Sequence, residues 1–112
     1  MSVANVTLLK RRWTMELDRA IDAKYNEFSK FVYGSKIIPS KYIELIALSN
    51  SVAVDCKHCI KHHYQKARTE GASDKEISTA IAIAMTVRAG KCRGVANEII
   101  GGLEELEEGG ML

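Results

Sequence analysis

The segment Asp55-Cys56-Lys57-His58-Cys59-Ile60-Lys61-His62-His63 carries the residues of this chain best suited to chemistry. On a helix turning about 100° per residue, Cys56, Cys59 and His63 fall within about 60° of one another on a single stripe. The two sulfurs then approach bonding distance, and an imidazole sits one turn beyond the second. A close cysteine pair outside a dense disulfide framework points to redox or metal chemistry. The start of a helix adds free amides and the positive end of its dipole, which favour a thiolate. Lys57 and Lys61 add positive charge beside the pair. His63 supplies a proton acceptor, and Glu44, set among apolar residues of the preceding segment, is a candidate buried carboxylate. His58 and His62 point away from the stripe, with His58 able to turn toward a group on the preceding helix.

Other readings of these residues stand beside the redox one. The pair fits two small buried side chains of a structural or regulatory oligomer without turnover, and the Cys-Cys-His stripe fits a zinc- or iron-binding module, its site completed by Cys92, Glu44 or water. Glu44 also fits the exposed edge of its helix. Cys92 taken alone reads as a packed small hydrophobe. The attacking sulfur is open as well: the helix dipole favours Cys56, whereas one-turn spacing to His63 favours Cys59.

The elements that must hold these residues are helical. Apolar positions Val6, Leu9, Trp13, Leu17, Ile21, Tyr25, Phe28 and Val32 recur at steps of three and four, predicting one long amphipathic helix over 6–33, its aromatic stripe in the core, closed by Gly34. Pro39 suits the first position of a second helix, with Ser40 as a competing cap, running to about Val54. Asp55 is expected to cap a third helix, from Cys56 to about Glu70, that stops at Gly71. Ser73-Asp74-Lys75-Glu76 is a capping box opening a fourth helix to about Arg88. That helix is apolar nearly all round. Ile77, Ile81 and Met85 are assigned to the chain's own core, and Ile83 and Val87, beside Ala80 and Ala84, to another subunit. Gly90 is expected to break the chain or its axis, with a fifth helix over Val95 to Leu106 interrupted at Gly101-Gly102. The reading is all-α, about five helices. It excludes a thioredoxin fold, which alternates strands with helices.

Composition sets outer limits. The 112 residues are 46% hydrophobic and 27% charged, an ordinary globular balance that suits one domain over 1–112. A formal charge of +2 is too small to argue for nucleic acid or an acidic membrane as partner. No run approaches the ~18 apolar residues of a membrane span, and Met1 to Asn5 has no signal-peptide character. Three cysteines, two of them paired, suit a reducing compartment, so a soluble cytoplasmic protein is expected.

Glu44, Cys56, Cys59 and His63 together follow the spacing E-x11-C-x2-C-x3-H. This resembles the signature of alkylhydroperoxidase-D-like proteins of the carboxymuconolactone decarboxylase superfamily. The stretch from Pro39 to Leu48 resembles the family's lead-in helix, and Gly71 to Ile77 its turn into the next. His58 matches a histidine of the best-studied subgroup, and the likeness covers about residues 36–100. It implies an all-helical fold assembled as homo-trimers or homo-hexamers. It further implies a thiol–disulfide oxidoreductase or peroxidase with an antioxidant role and no cofactor, in which Cys59 attacks and Cys56 resolves. His63 would take the thiol proton, with Glu44 and His58 orienting or extending that relay. The implied substrate is a hydroperoxide or a disulfide, and the implied reductant an external dithiol or a peroxiredoxin-type partner. The decarboxylase branch generally lacks the cysteine pair, so lactone decarboxylation is not expected.

Overall fold

Four α-helices form the regular structure of the computed structural model, which describes residues 17–110: α1 (Arg19–Tyr33), α2 (Ser40–Ala53), α3 (Lys57–Thr69) and α4 (Asp74–Glu108). No strand occurs among the described residues, as the helical periodicity predicts. They divide into two compact units, one up to Ile38 that carries α1 and one from Pro39 that carries α2 to α4.

In the first unit Asp18 caps α1, its carboxylate accepting the Ile21 amide at 3.0 Å. The Gly34 amide closes the helix onto the Lys30 carbonyl at 2.9 Å. The predicted positions Val6, Leu9 and Trp13 lie outside the described residues. Within α1 no residue is buried, so the stripe through Tyr25 and Phe28 does not form the core that its periodicity suggested.

The second unit is built on α2, which packs against both α3 and α4. Its buried positions Glu44, Leu45, Ala47, Leu48 and Ser51 recur at helical spacing and form one face. Leu45 and Leu48 meet Ala67 of α3, Ala72 of the following turn, and Ile77 and Ala80 of α4 in a single cluster, with Val52 and Ile60 against its edge. Pro39 stands at the N-cap of α2, one place before the predicted position, where its carbonyl accepts the amides of Tyr42 and Ile43. The start of α4 is fixed by the predicted capping box. Ser73 Oγ accepts the Glu76 amide at 3.1 Å while Glu76 Oε1 accepts the Ser73 amide at 3.0 Å.

Glu76 also pairs with Lys41 at 3.0 Å. The Ser73 amide and then the Lys41 ammonium hold the Glu76 carboxyl below its ordinary range, while Glu76 raises Lys41. At the far end of α2 the Arg88 guanidinium donates to the Ala53 carbonyl. Both pairs are 35 residues apart, so α2 and α4 run parallel and in register.

Two expectations for α4 need correction. Its 35 residues are one helix where two were predicted: Gly90, Gly94, Gly101 and Gly102 all continue it. A glycine costs a helix interior only about 1 kcal/mol relative to alanine, too little to break a run of good helix formers. The core face is also different. Ile77, Ala80 and Ala84 are buried, while Ile81 and Met85 are exposed, because the face that α4 turns toward α2 is the one carrying the two alanines. No helix among the described residues is long and apolar enough to cross a membrane.

Candidate active site

The site begins where α2 stops. A helix leaves its last four carbonyls without intrahelical partners. Here Asn50 O accepts the Val54 amide, Val52 O the Asp55 amide and Ser51 O the Cys56 amide, at 3.0 to 3.1 Å. Asp55 lies between them at φ 59°, so the last two bonds make a Schellman stop with aspartate in the left-handed position. Aspartate tolerates that region better than most residues. At the end of α3 the same motif recurs with Gly71 at φ 88°, the Ala72 amide returning to Ala67 O, as the predicted stop at Gly71 requires.

Asp55 is therefore the stop of α2 and not the predicted cap of α3. Cys56 takes the cap instead, with extended backbone, and its Sγ accepts the Cys59 amide at 3.3 Å. A cysteine at the N-cap has an amide aimed at its sulfur and the positive end of the helix beneath it, an arrangement suited to a thiolate. Cys56 and Cys59 are joined in a disulfide, their Cα atoms 5.2 Å apart. The two sulfurs thus meet as the spacing predicts, with Cys56 at the N-cap, one place before the predicted first helical position.

His63 lies one turn beyond Cys59. Its Nδ1 meets Glu44 Oε2 at 2.7 Å, and each side chain is 12% exposed. With Glu44 ionised, Nδ1–H donates to the carboxylate, which makes Nε2 the basic nitrogen. Glu44 is on the buried face of α2, not on an exposed edge. Ser51, on the same face, is satisfied through its own backbone, its Oγ donating to Ala47 O. Thus α2 supplies the carboxylate, α3 the imidazole and the Cys59 sulfur, and the N-cap before α3 the Cys56 sulfur.

The remaining sequence candidates are placed differently. His58 is exposed. His62, which spacing set aside, packs edge-on to His63 with ring centres 4.9 Å apart. Cys92 carries a free, exposed thiol in an open groove with Val54, Arg88 and Val95, and is not the packed small residue it resembled. Among the described residues, no three of His, Cys, Asp and Glu are arranged to hold a metal ion.

Comparison with known proteins identifies the family. Residues 19–96 match the Carboxymuconolactone decarboxylase family. The chain is 31% identical over 94 residues to a Paracoccus denitrificans protein named Uncharacterized protein 4 in cox locus, covering 84% of this chain and 85% of that one. It is also similar to the crystal structure of a protein from Methanobacterium thermoautotrophicum, with a TM-score of 0.68 and 27% identity over 73% of this chain and 94% of the other. The matched span runs from α1 into α4 through Glu44, both paired cysteines and His63, and the chain belongs to the carboxymuconolactone decarboxylase family, which includes the alkylhydroperoxidase-D-like proteins.

Proposed function

We propose that the protein is a thiol–disulfide oxidoreductase of the alkylhydroperoxidase-like kind, reducing a hydroperoxide or a disulfide through Cys59 and Cys56. One arrangement carries this reading: a bonded cysteine pair at the start of α3, followed one turn later by an imidazole held on a buried carboxylate. In the reduced protein His63 accepts the Cys59 proton through water, and Glu44 stabilises the imidazolium that results. Exposed His58 extends the relay toward solvent. The Cys59 thiolate attacks the terminal peroxide oxygen. An S–O bond forms, the O–O bond breaks, and the alkoxide leaves as alcohol after taking a proton. Cys56 then attacks the sulfenic sulfur, closing the disulfide as water departs. An external dithiol, free or carried on a peroxiredoxin-type protein, returns two electrons and two protons. Such a reductant is available in a reducing compartment, which suits the cytoplasm.

Anaerobic thiol counting tests this. One equivalent of peroxide added to the reduced chain is expected to remove two of its three thiols, and peptide mapping to place the new bond between Cys56 and Cys59. A dominant linkage through Cys92, or no loss of thiol, overturns the reading.

We also propose that α4 assembles copies of the chain into trimers or hexamers. Ile83 and Val87 stand 53% and 61% exposed, and Val95, Ile99, Ile100 and Leu103 continue the exposed apolar surface along the helix. Large apolar side chains exposed along a helix in this way mark a surface suited to association. Ile83→Asp is expected to dissociate the oligomer, read by light scattering after size-exclusion chromatography. A wild-type chain that remains monomeric at micromolar concentration refutes the assembly.

A further inference from the structure

The clamp between α4 and the end of α2 has no part in the chemistry above. Three of the last four carbonyls of α2 are met by the local amides of Val54, Asp55 and Cys56. Ala53 alone takes its partner from another element: Arg88 Nη1, 35 residues away, at 2.7 Å. A guanidinium there also faces the negative end of the helix, and a charged donor makes a stronger bond than a neutral one. The turn it adjoins has little packing to hold it. Val54 is 70% exposed, and Asp55, also exposed, keeps a left-handed backbone that non-glycine residues disfavour. Its conformation rests on hydrogen bonds, and the Cys56 amide makes one of them. Cys59, by contrast, is held inside α3.

We propose that Arg88 is a positioning residue of the dithiol. By bonding the last open carbonyl of α2 it fixes the turn that delivers Cys56, and so sets how readily Cys56 and Cys59 close; the inference rests on reading the pair as a redox couple. With the turn fixed, Cys56 loses little freedom when the bond forms. Without Arg88 the reduced form gains freedom that the disulfide form does not, and the equilibrium moves toward the dithiol.

The test is the dithiol–disulfide equilibrium of the full chain in glutathione buffers, in a Cys92→Ser background, read by alkylation and mass spectrometry. Oxidised glutathione takes two electrons and two protons from the Cys56 and Cys59 thiols, so the S–S bond forms in the protein and breaks in the reagent. Arg88→Met is expected to shift this equilibrium about fivefold toward the dithiol, ~20 mV for a two-electron couple. Arg88→Lys keeps the charge and a donor, and is expected to restore at least half of the shift. A folded Arg88→Met chain within twofold of the parent, or shifted toward the disulfide, overturns the proposal. Should that variant fail to fold, Arg88→Gln is read against the same two criteria. A parent chain whose pair never closes in the buffer removes the redox reading and this inference with it. A parent that cycles beside unshifted variants removes Arg88 alone.

Discussion

Cys59→Ser is expected to lower peroxide-driven oxidation of a reducing dithiol by more than about 10³-fold, because a hydroxyl has neither the acidity nor the nucleophilicity of the thiol it replaces. Cys56→Ser should fail differently. Cys59 still meets one equivalent of peroxide at near the parent rate, but no second sulfur is present to displace the oxygen, and the sulfenic acid persists long enough for a sulfenate-trapping reagent to label it. Stopped-flow consumption of peroxide with mass spectrometry of the quenched protein separates the two outcomes. If the phenotypes are exchanged, Cys56 is the attacking sulfur. Its place at the N-cap, with the Cys59 amide pointing at it, makes that alternative a physical one. If neither substitution changes the rate, the pair is not the reacting centre.

The second large effect is expected at His63. In His63→Gln an amide group still donates to Glu44, so the contact between α2 and α3 survives, but no side chain is left to take the Cys59 proton. Removal of a general base costs about 10²-fold or more, and the loss should appear near neutral pH. It should shrink above about pH 9, where a free thiol of pKa about 8.5 ionises unaided. A pH–rate profile that parallels the parent at every pH takes His63 out of the proton path. Glu44→Gln is the companion variant: it retains the hydrogen bond without the charge, and should reproduce part of the same pH-dependent loss.

The part of this site legible in the sequence is the part set by local geometry. The meeting of Cys56 with Cys59 and the place of His63 one turn later follow from three- and four-residue steps at a helix start, and the capping box at Ser73 needs only its own four residues. Glu44 was readable as an acid among apolar neighbours, though only the packing of α2 on α3 gives it His63. Asp55 was misplaced by one residue because aspartate suits both a helix cap and a left-handed stop. What decides between them is whether the preceding helix has carbonyls to close. The faces of α4 were misread for a different reason. Hydrophobicity alone ranks Ile81 and Met85 above Ala80 and Ala84, but which side of a helix that is apolar nearly all round meets α2 is settled by packing, and no one-dimensional pattern records it. Arg88 was invisible altogether, since its partner is a backbone carbonyl 35 residues earlier.

Cys56 closes α2 with its amide and opens α3 with its sulfur, so the junction between the two helices has no slack residue. One residue added between Glu44 and Ala53 would turn Glu44 by about 100° relative to the junction and carry its carboxylate away from His63. One added after Ala53 would undo the stop that presents the cysteine. Loops elsewhere absorb changes of length at little cost, but the span from Glu44 to His63 behaves as a ruler. Over lineages that keep this chemistry, the stretch is free to change its letters but not its length, so that insertions and deletions should gather outside it.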